Sequence, residues 1–215
     1  MNRSFNHYWP SCTNSDPQTC PSLNEQPKAD SVDAAKEPAF LEIVDNKIYF
    51  YAEIERDKVL TLNKKIEELN VSLLNTARTY KTIPANIYLY INSYGGNIFS
   101  GYAAMDIIEQ SEVPIITIVN GVCASAATLL SIVGKERMIT RNSYMMIHQI
   151  SAFMWGKYEA FKDKMKNLDA FMNRIKTIYK KHTVIPSDVL DGILTHDLFF
   201  DAEQCLEYKL VDKII

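Results

Sequence analysis

From about residue 40 onward the apolar positions follow two alternating rhythms. Lys47–Ala52 is a short run rich in strand formers, whereas Asp57–Tyr80 places Val59, Leu62, Ile66, Leu69 and Leu73 three or four residues apart, one face of a helix. The cycle repeats. Ile87–Ile91 predicts a strand that stops at Gly95-Gly96, Asn97–Gln110 a helix, and Ile115–Val119 a buried strand opened by Pro114. Asn120-Gly121 predicts a break, Ala124–Val133 a helix of small residues, and Arg137–Ile139 and Tyr144–His148 short strands. Buried strands alternating with crossover helices indicate an α/β domain over residues 40–215.

One predicted helix differs in kind. Residues 157–181 carry Tyr158, Phe161, Met165, Leu168, Met172, Ile175 and Tyr179 at spacings of three and four, widened by Phe171 and Ile178. That is a seam for another helix, and so points to an oligomer. Eight Lys or Arg against three acids on this segment read as a solvated face, not a nucleic-acid site.

Residues 1 to about 39 lack any such rhythm. Five of the eight prolines fall there among Ser, Asn, Asp, Thr and Gln, which predicts a loosely attached arm with too little apolar area to offset chain entropy. Its aromatics Phe5, Tyr8 and Trp9 are read as an unstructured tip, with docking on a partner subunit as the alternative. The net charge of −3 gives no drive toward nucleic acid or anionic membrane. Neither a secretory leader nor an apolar run of membrane-spanning length is expected. Cys12, Cys20, Cys123 and Cys205 have neither a disulfide-framework pattern nor zinc spacing, so a reducing, cytoplasmic setting (or an organelle stroma, or the cytoplasm of a virus-infected cell) and no metal are expected.

Candidate chemistry gathers around Gly121-Val-Cys-Ala-Ser125-Ala-Ala. A serine flanked by alanines at a strand-to-helix turn can present an open hydroxyl beside backbone N–H groups, although a serine there is also an ordinary N-cap. It is not the G-x-S-x-G elbow. His148 ends an apolar strand and is the best-placed base; His7, His182 and His196 are weaker candidates. Asp197, before Leu198-Phe199, can orient that base or simply cap a turn. Gly95-Gly96 permits a tight turn and close backbone approach to a ligand.

These segments together resemble the Clp protease proteolytic subunit family (ClpP) from about residue 43 to 214. The similarity lies in Ile87-Tyr-Leu-Tyr-Ile-Asn-Ser-Tyr-Gly-Gly96, the Ser125 segment, Met146-Ile-His-Gln149, and the run from Asp197 through Glu207-Tyr-Lys-Leu-Val-Asp212, in family order and spacing. The resemblance implies a ClpP/crotonase-like ββα spiral in which helix 157–181 is a protruding handle that interlocks two heptameric rings. It implies Ser125 as nucleophile, His148 as general base, Asp197 as its orienting partner, and the N–H groups of Gly96 and Ala126 as an oxyanion hole. Gly95, Asn97, Ile98 and Phe99, and Ile150 and Ser151 through Phe153, then line the path of an extended polypeptide substrate. Tyr88 and Tyr90 match a strand that lines the docking cleft for an AAA+ unfoldase. The chain has no phosphate-binding G-x-x-x-x-G-K-[S/T], so ATP is left to that partner and no cofactor is expected.

The sequence departs from the family pattern at Tyr94, where Pro is usual, at Ala126-Ala127, where Met-Gly is usual, and at Ile150, where Pro is usual. Two other readings stay open on sequence alone: a catalytically silent subunit of a mixed ring, and an acyl-CoA-processing crotonase.

Overall fold

In the computed structural model, which describes residues 39–215, helix-spaced segments separate most of the strands, so the sheet is almost wholly parallel. Its elements are β1 (Leu41–Val44), β2 (Lys47–Tyr51), α1 (Arg56–Tyr80), β3 (Ile87–Ser93), α2 (Ile98–Gln110), β4 (Ile115–Ala124), α3 (Thr128–Ser131), β5 (Glu136–Ile139), β6 (Tyr144–Met146), α4 (Tyr158–His182), α5 (Ser187–Leu194), α6 (Ala202–Glu207) and β7 (Lys213–Ile214). A 3-10 turn, Ser125–Ala127, joins β4 to α3. The strand order is β1-β2-β3-β4-β5-β7, with β6 also on β4, and only β1–β2 is antiparallel. Of the arm read over residues 1 to about 39, residues 1–38, with Phe5, Tyr8, Trp9, Cys12 and Cys20, lie outside the described residues.

The alternation in β3 shows how the sheet sorts its faces. Ile87, Leu89, Ile91 and Ser93 are buried, while Tyr88, Tyr90 and Asn92 turn to the other side. The buried set meets Ile48 and Phe50 of β2 and the Val59, Leu62 and Ile66 stripe of α1. On the other face Tyr49 stacks on Tyr90 at 4.6 Å, with Tyr51 edge-on to Tyr49 at 6.3 Å.

Strand β4 differs from the sequence expectation in an instructive way. Asn120-Gly121 does not end it. The pair forms a bulge, since Ile91 faces Val119 while Ser93 faces Cys123, two residues of β3 spanning four of β4. Gly121 permits this with φ +99°, and a Cβ there would come within 2.6 Å of Asn92 Nδ2. Beyond the bulge β4 changes partner, from β5 at Ile116–Val119 to β6 at Val122–Ala124. The expected helix over Ala124–Val133 is accordingly shorter, a 3-10 turn and four helical residues.

Helix α4 has 25 residues, about 37 Å at the standard rise. Ile175, Ile178 and Tyr179 enter the core, and Met172 packs against it. Tyr158, Phe161 and Met165, near the other end, are exposed. The sequence seam is thus split between two environments. Among the described residues no helix is long and apolar enough to cross a membrane, and no group of three His, Cys, Asp or Glu is placed to hold a metal.

Candidate active site

The partner change in β4 carries Ala124 to the end of β6 and sets Ser125 at the strand-to-helix turn. Ser125 has φ +54°, a left-handed conformation uncommon for a residue with a Cβ and worth about 1–3 kcal/mol of strain. It caps no helix end with its side chain. Its Oγ lies 2.8 Å from His148 Nε2. Gly95 makes room beneath it: a Cβ on Gly95 would stand 2.7 Å from both Ala124 O and Ser125 Cβ.

His148 follows β6 by two residues, and main-chain bonds on both sides of Asp197 bring its segment to the histidine. Met145 and Phe200 exchange backbone hydrogen bonds of 3.0 and 2.7 Å in an antiparallel bridge, and Gln149 N–H donates to Leu194 O at 2.8 Å. These main-chain bonds on either side bring the segment that carries Asp197 alongside His148. His148 Nδ1 and Asp197 Oδ1 are 2.6 Å apart. The histidine side chain is 18% exposed and the aspartate 76%.

The glycine turn supplies backbone donors. Ile54 N–H donates to Gly95 O at 2.7 Å and Asn97 N–H to Ile54 O at 2.8 Å, a parallel bridge whose geometry turns the Gly96 N–H away from Ile54. A Cβ on Gly96 (φ +145°) would strike Ile54 O at 2.7 Å, so only glycine fits. The Ala126 N–H is in the first turn of its 3-10 element, where an amide has no intrahelical acceptor. Gly96 and Ala126 both line one cleft of about 400 Å³ with Ser125 and His148.

Of the residues expected along a substrate path, Asn97, Ile98, Ile150 and Ser151 line this cleft. Gly95 instead packs beneath the serine. Phe99 turns away and meets Phe171 edge-on at 5.3 Å, and Phe153 is exposed outside the cleft. Tyr88 and Tyr90 stand half-buried on the outer sheet face, also outside it. The cleft adds residues that sequence reasoning gave no site role: Tyr94, Leu129, Gln149, Ile175 and Tyr179. Ile175 and Tyr179 belong to the helical seam, so their spacing predicted burial but could not say against what.

Burial pushes the Cys123 thiol up to about 12, despite a hydrogen bond with Ser131, and likewise the Cys205 thiol to about 12. Neither supplies a thiolate near neutrality, so Ser125 has no competing nucleophile from these two. The arrangement joins a serine hydroxyl, a histidine and an aspartate in one hydrogen-bonded chain beside the Gly96 and Ala126 backbone, residue types and spacing suited to serine-based acyl transfer.

Residues 46–215 match the Clp protease family. The ATP-dependent Clp protease proteolytic subunit of Deinococcus radiodurans is 33% identical over 131 residues, 60% of this chain, and the match spans 64% of that relative's length. Among solved structures, a ClpP1 mutant from Listeria monocytogenes superposes with a TM-score of 0.68 at 19% identity, covering 80% of this chain and 91% of that one. This last similarity concerns the fold, and it bears out the ClpP-like α/β architecture expected from the sequence.

Proposed function

The chain belongs to the Clp protease family, and from that premise we propose that it is a serine endopeptidase subunit that cleaves unfolded polypeptides through an acyl-enzyme on Ser125. The observation that carries the reading is the continuous chain Asp197 Oδ1–His148 Nδ1 (2.6 Å) and His148 Nε2–Ser125 Oγ (2.8 Å) at the cleft. Asp197 accepts from Nδ1–H and thereby leaves Nε2 as the basic nitrogen. As Ser125 Oγ bonds to the scissile carbonyl carbon, Nε2 takes its proton, and the carbonyl π pair moves to oxygen, facing the Gly96 and Ala126 amides. The oxyanion collapses, the C–N bond breaks, and His148 gives its proton to the leaving amine. Water then attacks the acyl ester with His148 as base again, releasing the acid and restoring Ser125.

The substrate strand runs between Asn97-Ile98 and Ile150-Ser151, adding to the backbone edges there. No cofactor enters these steps. Copies of the chain form two stacked heptameric rings through the exposed Tyr158, Phe161 and Met165 end of α4, and an AAA+ unfoldase docks at Tyr88 and Tyr90 and consumes the ATP.

The test is degradation of fluorescently labelled casein by the assembled chain, with Ser125→Ala as comparison. Degradation by wild type and none by the variant supports the reading. An assembled wild type that leaves the substrate intact, alone and with a Clp unfoldase, returns the chain to the silent-subunit alternative.

A further inference from the structure

A buried polar relay runs from helix α4 to the nucleophile turn. Thr128 Oγ1 donates to the Ser125 carbonyl at 2.6 Å, and the same Oγ1 is 2.6 Å from the Tyr179 hydroxyl. A threonine hydroxyl has one proton. With that proton on the Ser125 carbonyl, the Tyr179 O–H must be the donor to Thr128. The direction is therefore Tyr179 to Thr128 to Ser125 C=O. Thr128 is fully buried and Tyr179 is 2% exposed. Burial raises the tyrosine's pKa, which keeps its proton in place as a donor. Buried hydroxyls in such a setting hold one geometry firmly, because no water offers them another.

The Ser125 carbonyl and the Ala126 N–H belong to one planar peptide unit and point in opposite directions. Whatever fixes that oxygen on the core side fixes the amide hydrogen on the cleft side. A hydrogen bond into the carbonyl also polarises the amide and strengthens its N–H as a donor. We infer that Thr128 and Tyr179 are positioning residues for the reaction: their relay pins the Ser125–Ala126 peptide, and so aims and strengthens the Ala126 oxyanion donor while holding the left-handed Ser125 backbone. Neither side chain touches the reacting atoms by way of its hydroxyl. The inference rests on the peptidase reading, and it adds that the end of α4 buried in the core sets the chemistry of the site.

An alkyl fluorophosphonate is the probe. Ser125 Oγ bonds to phosphorus, fluoride leaves, the serine proton passes to His148, and the phosphoryl oxygen occupies the oxyanion position. Removing both hydroxyls together, in Thr128→Val/Tyr179→Phe, leaves neither hydroxyl without its partner, and the Ser125 carbonyl still accepts from the Thr128 backbone N–H, so the fold should be kept. Removing an oxyanion donor outright costs about 10²- to 10³-fold, so misaiming one is expected to lower the maximal inactivation rate of this variant on the order of 10-fold or more. The probe's half-saturating concentration and the pH midpoint of the reaction should stay unchanged. Tyr179→Phe alone should slow the reaction less, and Thr128→Ser, which keeps the donor, should recover most of the rate. A folded double variant that reacts at the wild-type maximal rate overturns the inference, as does a Thr128→Ser variant as slow as Thr128→Val. In either case an active wild type leaves the peptidase reading standing. An assembled wild type that does not react at all contradicts both.

Discussion

The serine and the aspartate of this site are held in opposite ways. Ser125 sits on a strained turn fixed from every side: Gly95 packed beneath it, the Thr128 hydroxyl on its carbonyl, and Tyr179 behind that. Asp197 stands mostly in solvent on a connecting segment, held by the main-chain bonds of Leu194 and Phe200 and by its contact with His148. The difference separates two kinds of dependence. The serine wall is part of the core, so damage there reaches stability. The aspartate wall is a surface loop tied down by main-chain bonds, so its side chain can change chemically with little effect on folding.

Four changes break or sharpen this contrast. Asp197→Asn should have the largest effect and confine it to chemistry: a loss in fluorophosphonate reactivity on the order of 10²- to 10⁴-fold through the wrong histidine tautomer, with stability within about 0.5 kcal/mol of wild type. Equal losses of reactivity and stability would erase the distinction. Gly95→Ala does the reverse, adding a methyl 2.7 Å from Ala124 O at φ +101°; denaturant titration should show about 2–4 kcal/mol of destabilisation.

Ser125→Gly removes the nucleophile together with the left-handed strain, so it should be inactive yet up to about 1 kcal/mol more stable. A loss of stability would mean that the turn is not strained. The smallest effect concerns the end of α4 that carries Tyr179. Burial, then the Lys181 charge, lowers the His182 pKa against the opposing pull of Glu109, whose Oε1 is 3.3 Å from Nε2 without an aligned hydrogen bond. A depressed folded pKa means that the unfolded chain protonates first as pH falls below about 6.5. Stability should therefore be full above that pH and decline below it, and His182→Gln should flatten the decline. Unfolding midpoints at pH 5.5 and 7.5 for both chains measure it.

The sequence carried the repeating elements because burial imposes a period on each. The Asp57–Tyr80 helix, the Ile87 strand and the 157–181 helix sit within two or three residues of expectation. It failed where tertiary contact decides. Nothing local says that β4 crosses Asn120-Gly121 by a bulge, because the bulge exists to exchange β5 for β6. The strands β1 and β7 are short pieces stabilised by their neighbours, with no rhythm of their own. At the site, the three hydrogen-bonded side chains were legible through family spacing, whereas each taken singly had an ordinary structural reading. The left-handed Ser125 was not legible, since no glycine marks it. Thr128 and Tyr179 looked like a small-residue helix and a seam. Only the fold brings their hydroxyls together, across 51 residues of chain.

The central claim is that Ser125 is an activated nucleophile, and intact mass after fluorophosphonate treatment of the assembled chain tests it most directly. The account predicts one adduct per chain on wild type, mapped to Ser125, and none on Ser125→Ala. An assembled wild-type chain that stays unmodified, or an adduct that persists in the variant, would contradict it.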